Sequence, residues 1–182
     1  MRRSSSLFIA LALILSGGPV LAHYPVYLTS ANKNISKSPI LLDGTISFAV
    51  YADFNKAKDK RSVRFALKEG DDLNVEYLIV DAAPSNRLKS SQLPSIAITT
   101  PSGKKIVMKI NERSPFYEPY GKKNYFFLSR ISQSAEAGIY SITATAKTKS
   151  SAVIAIGRTE IRGEYLEVGS SAGECQIGRA HV

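Results

Sequence analysis

The chain has 182 residues, 44% of them hydrophobic, with 24 Lys and Arg against 15 Asp and Glu and a formal charge of +9. That length suits one domain with a core of its own. The single cysteine, Cys175, excludes an internal disulfide, so stability has to come from packing. Two histidines, His23 and His181, leave little for imidazole catalysis, and zinc spacings and glycine-rich phosphate loops are absent.

Residues 1–22 have a secretory layout: Arg2 and Arg3, the apolar run Leu7 to Leu15, a Gly-Gly-Pro break, then Val20 and Ala22 at the small-residue positions. The apolar run is short for a membrane span. Cleavage after Ala22 is therefore expected, with an uncleaved anchor as the alternative, and it makes His23 the first mature residue.

The interior reads as strands. Candidates are Thr45 to Phe54, Ser62 to Lys68, Leu73 to Ile79, Pro94 to Thr99, Lys105 to Ile110, Asn124 to Ile131, Tyr140 to Lys147 and Ala152 to Ile156. "SVRFALK" alternates Val63, Phe65 and Leu67 with Arg64 and Lys68, the period of a sheet with one buried face. Leu73, Val75, Tyr77 and Ile79 repeat the pattern, as do Tyr140, Ile142, Ala144 and Ala146. Turn signals separate them at Glu69-Gly70-Asp71-Asp72, Pro101-Ser102-Gly103 and Ala137-Gly138. The longest polar loop is Asp81 to Leu93. About eight strands with no amphipathic helix predict an all-β, antiparallel, jelly-roll-like β-sandwich over residues 23–168.

Residues 169–182 read as a truncated tail. "IGRAHV", 177–182, is what ATC GGA AGA GCA CAC GTC encodes, which looks like the read-through of a common sequencing-library adapter. Gln176 fits the adapter bases that precede it. The six residues are expected to be an artefact that truncates a longer gene. Without Arg2, Arg3 and Arg179 the charge falls by three, from +9 to +6, and His181 goes too.

The order "VRFALKEGDDLNVEYLI", "PSIAITTPSGK", "YFFLSRISQSAEAGIYSITATA" resembles bacterial pre-peptidase C-terminal domains and related jelly-roll modules over roughly residues 45 to 157. The resemblance implies an accessory sandwich of the cell envelope. Pro94-Ser95-Ile96-Ala97-Ile98 stands where that family carries an Asp-rich stretch, so a calcium or substrate role there does not carry over. "AVIAIGRTEIRGEYLEV" is similar to the end of envelope proteins in which such a domain precedes a C-terminal membrane anchor.

Three stretches are candidates for binding. At His23 a free amine and the imidazole of the same residue would form a chelate suited to Cu(II). This resembles the histidine brace of copper monooxygenases and some periplasmic copper carriers, which recruit a second side chain, and here a carboxylate or a residue beyond the truncation would have to serve. The ordinary reading is that signal peptidase tolerates many first residues. The basic stretch "NKAKDKRSVR", with Lys56, Lys58, Lys60, Arg61 and Arg64, would contact anionic lipid headgroups or envelope polymer rather than nucleic acid, unless it is a solvated hairpin tip. "SPFYEPYGKKNYFF" offers Phe116, Tyr117, Glu118 and Tyr120 as a sugar-stacking platform or protein contact, with folding back over the core edge as the alternative. Glu69, Asp71 and Asp72 lack the alternating ligand pattern of a calcium loop and read as hairpin chemistry.

The expectation is a secreted or periplasmic, non-catalytic binding or accessory module of the cell envelope. Its partner would be an envelope polymer or a protein, it would use no cofactor, and a membrane anchor would follow in the longer gene. The alternatives are a copper-binding protein using His23 and a structural envelope scaffold.

Overall fold

Period-two alternation sets the inner layer of the computed structural model, which describes residues 23–168 and the strand 175–178. Residues 1–22, where a secretory leader is expected, and residues 169–174 and 179–182, in the expected tail, lie outside the described residues. The strands are β1 (Tyr24–Leu28), β2 (Ile40–Leu41), β3 (Phe48–Phe54), β4 (Lys60–Leu67), β5 (Asp72–Val80), β6 (Ser95–Thr99), β7 (Lys105–Met108), β8 (Ser114–Glu118), β9 (Lys123–Ser134), β10 (Gly138–Thr145), β11 (Ser150–Ile156), β12 (Tyr165–Val168) and β13 (Cys175–Gly178). They form a six-stranded sheet, β1-β3-β11-β5-β9-β8, and a seven-stranded sheet, β13-β12-β2-β4-β10-β6-β7.

The core lies between the two sheets. Phe48, Val50, Leu73, Val75, Tyr77 and Ile154 come from one and Val63, Phe65, Ile96, Ile98, Tyr140 and Ile142 from the other, all of them buried. Phe65 stacks on Tyr140 with ring centroids 5.3 Å apart. The buried Tyr77 hydroxyl donates to the Pro94 carbonyl at 3.1 Å. Full burial of each such side chain contributes about 1.5–3 kcal/mol, the main source of stability where no disulfide helps.

Each of the eight expected strands is present, but the expectation of about eight antiparallel strands needs correcting. Among the described residues five further strands, β1, β2, β8, β12 and β13, add to them, each of five residues or fewer and lying outside the runs expected as strands. The sheets are also mixed, since β1 pairs parallel with β3 and β2 parallel with β4. The chain runs from β1 across to the other sheet at β2 and back to β3, and a crossover of that kind returns a strand in its original direction. The polar loop before β6 is pinned to the sandwich: Leu93 is fully buried, Ser85 Oγ accepts from the Ser151 amide, and Arg113 donates to the Asn86 and Leu88 carbonyls.

In β9 the register against β5 shifts, from Tyr77↔Ser129 to Leu78↔Phe127. Leu128 is the extra residue and turns into the core. Such a bulge breaks strict alternation, so Phe127 and Arg130, three residues apart, share the outer face.

Where β11 ends, Gly157 has φ +71°, and a Cβ there would lie 2.2 Å from the Ile46 carbonyl oxygen. Gly103 has φ +86° with open space around it. Gly103→Ala should cost only the left-handed penalty of about 1–2 kcal/mol, whereas Gly157→Ala should cost clearly more because backbone must move. Urea unfolding of the two variants checks this, and equal losses would contradict the packing described at Gly157.

Candidate functional site

On the outer face of a sandwich sheet, side chains between core positions normally meet water. At the centre of the six-stranded sheet several do not. Leu78, Tyr125, Val153 and Ala155 point outward and are nevertheless buried, covered by Tyr51, Val80, Phe116 and Phe127. The register lines up Tyr27, Tyr51, Val153, Leu78 and Phe127 in one row across five strands. A neighbouring row runs Ala49, Ala155, Glu76, Arg130. Small side chains in the second row beside bulky ones in the first leave a depression.

The result is a recess of about 70 Å³. Ala49, Ala155, Val153 and Leu78 line it together with Tyr51, Phe116, Tyr125 and Phe127, while His23 and Glu76 add polar groups. Phe116 packs on Phe127 with centroids 5.0 Å apart, and the Arg130 guanidinium lies 3.8 Å above the Phe127 ring, held also by Glu112 at 3.1 Å. Tyr27, 68% exposed, stacks on Tyr51 at 5.0 Å and extends the aromatic surface past the recess. The Tyr51 and Tyr125 hydroxyls are 3.4 Å apart. Burial first, and the Tyr125 hydroxyl second, push the Tyr51 pKa well above the ordinary tyrosine value, so the Tyr51 hydroxyl keeps its proton and can donate.

Two residues singled out in the sequence, His23 and Phe116, meet in this recess. His23 Nδ1 is hydrogen-bonded to Ser47 Oγ. A copper brace would have to take Nδ1 from Ser47, and no group of three His, Cys, Asp or Glu suited to a metal occurs among the described residues. Tyr117 and Tyr120 lie elsewhere, 56% and 61% exposed on the β8–β9 hairpin. Glu118 closes that hairpin by accepting from the Tyr120 and Gly121 amides.

The basic stretch divides. Lys56, Lys58 and Lys60 are exposed. Arg61 is 5% exposed, turned over the Phe54 ring, and Arg64 binds Ser38 through Nε and a terminal nitrogen. Those two arginines brace the fold rather than face solvent together with the lysines. The acids of the β4–β5 turn are likewise engaged: Glu69 accepts from the Ala137 amide, Asp71 from the Lys68 amide, and Asp72 from Ser132 Oγ. A wider cleft of about 360 Å³ beside that turn has Asp43 tied to Thr45 and Asp71 to Lys68, which leaves its carboxylates occupied.

Tyr125 and Phe127 belong to the same aromatic stretch as Phe116, whereas Tyr27, Tyr51, Glu76 and Arg130 join the site without a signal in local sequence, because only strand order makes them neighbours. No protein-family model matches the chain, and no curated protein matches it.

The Tyr51 hydroxyl also makes a testable contribution to stability. A pKa raised in the folded state favours the native form fully below the unfolded value near 10 and is lost as pH rises through the folded value. Tyr51→Phe should therefore lessen the alkaline loss of stability and remove one late step from the tyrosinate absorbance titration. An unchanged titration would remove Tyr51 from that role.

Proposed function

We propose that this protein is a non-catalytic, extracytoplasmic binding module of the cell envelope that presents the outer face of its six-stranded sheet to an envelope glycan. The observation that carries the reading is the aromatic cover of that face, where Tyr27, Tyr51, Tyr125, Phe116 and Phe127 stand on a surface usually given to polar side chains. Size supports a surface mode: the recess, at about 70 Å³, is far below the 300–1,000 Å³ that enclose a drug-sized ligand. It can seat one face of a sugar ring and leave the rest of a chain outside. Aromatic rings supply flat apolar area for the ring's C–H face, while Glu76, His23 and the tyrosine hydroxyls offer hydrogen bonds at its rim. The secretory layout of residues 1–22 supports the location, and the resemblance to pre-peptidase C-terminal modules supports an accessory role.

Retention on insoluble cell-wall polysaccharide tests the reading. Tyr27→Ala and Glu76→Gln lie outside the main core, so melting temperatures should stay close to that of the parent. Retention should fall about tenfold for each, since a stacking contact or a well-placed hydrogen bond is worth about 1–1.5 kcal/mol. Equal retention of parent and both variants, with folding intact, would sink the glycan reading.

A further inference from the structure

We infer that one end of the sandwich is a docking surface for an anionic lipid bilayer, separate from the recess on its flank. The strand directions gather the charge. In the six-stranded sheet β3 and β5 run together, β9 and β11 run against them, and β8 runs against β9. The ends of β3, β5 and β8 and the starts of β9 and β11 therefore share one end, and so do the connections 55–59, 81–94, 119–122 and 146–149.

Hydrogen bonds join these connections into a continuous surface. The Lys58 amide donates to the Ala146 carbonyl and the Ala146 amide to the Asp59 carbonyl. Ser151 donates to Ser85 Oγ, and the Asp81 amide donates to the Asn124 carbonyl at the base of the hairpin.

Exposed cations crowd this end: Lys56, Lys58 and Lys60 on the first turn, Lys147 and Lys149 on the turn bonded to it. Arg87 and Lys89 stand on the pinned loop, and Lys122 and Lys123 on the hairpin. Acids are fewer: Asp59 accepts from the Asn55 and Lys56 amides, Asp81 from the Asn86 side-chain amide and Glu118 from the Tyr120 and Gly121 amides, while Asp53 is exposed near the end of β3. The ion pairs among the described residues, Arg130–Glu112 and Arg158–Asp72, use none of these cations. Lys58 and Lys122 have φ of 69° and 51°, positions that favour glycine or asparagine, so a cation stands at both turn tips where the backbone would prefer a smaller residue. At the opposite end the turns carry both signs, Glu69, Asp71, Asp72 and Glu136 together with Lys68, Lys104 and Arg158, so no comparable excess of cations gathers there.

Charge alone would suit any polyanion. Tyr117 and Tyr120 point to lipid. The last pair between β5 and β9 is Val80↔Tyr125, so Lys123, Asn124 and the turn project beyond the end of β5. That projecting tip exposes both tyrosines next to Lys122 and Lys123. Tyrosine rings settle at the headgroup level of a bilayer, and each lysine near an anionic surface adds about 1 kcal/mol. Lysines spread over the end face with aromatic rings on its most prominent tip match that interface.

Co-sedimentation with vesicles tests this. The protein should pellet with phosphatidylcholine vesicles containing about a third phosphatidylglycerol, remain in the supernatant with pure phosphatidylcholine, and be released by salt. The variant Lys56→Glu/Lys58→Glu/Lys147→Glu should lose about a hundredfold in vesicle affinity and Tyr117→Ala/Tyr120→Ala about tenfold, with circular dichroism melts close to the parent. Tyr27→Ala should bind vesicles like the parent, so a failed glycan reading and a failed membrane reading remain distinguishable. Retention on heparin without vesicle binding would assign the end to a soluble polyanion and overturn the proposal. So would equal binding to neutral vesicles, or full binding by the charge-reversal variant.

Discussion

The architecture depends on β11 being apolar on both faces. Ala152, Ile154 and Ile156 enter the core, while Val153 and Ala155 point the other way and are still buried. A strand of this kind cannot sit in a two-layer sandwich with a wet outer surface unless its neighbours cover it. β3 supplies Tyr51, β9 supplies Tyr125 and Phe127, and the added edge strand β8 supplies Phe116. The aromatic cover and the recess are consequences of that one doubly apolar strand.

The bulge in β9 follows from the same demand. Tyr125, Phe126, Phe127 and Leu128 are consecutive and apolar, and each needs a face. Alternation sends Tyr125 and Phe127 outward and Phe126 and Leu128 inward. The extra residue then resets the phase so that Arg130 lies over Phe127 on the outside while Ile131 packs against the core. A strictly regular strand would put Ser129 outside and send Arg130 toward the core, where a guanidinium would need partners that this core does not hold.

These relations also explain what could be read in the sequence. Where one face is buried, as in Val63, Phe65 and Leu67 of β4, alternation names both the strand and its inward residues. Tyr24, Val26 and Leu28 alternate just as well but occupy a five-residue strand directly after the stretch read as a leader, and Ile40–Leu41 is too short to show any period. The site is harder still. Glu76 and Tyr51 are separated in the sheet by β11, which enters the chain some 75 residues after Glu76. Local pattern carries no term for that separation. His23 and Phe116 stand out for unrelated reasons, one as the first residue after an expected cleavage and the other as a loop aromatic, and only the strand order places them around one depression.

Strand direction adds a relation between the two surfaces. The recess runs along the flank from His23, beside the start of β1, toward Phe116 and Tyr125 near the hairpin. The basic end lies at right angles to that flank, across the strand termini. A sandwich resting on its basic end would stand with strands upright, so the aromatic face would look along the plane of the surface and the turns of mixed charge would be held farthest from it. A chain-like ligand lying parallel to the surface would then follow the row from Tyr27 on one edge strand to Phe127 near the other, at right angles to the strands.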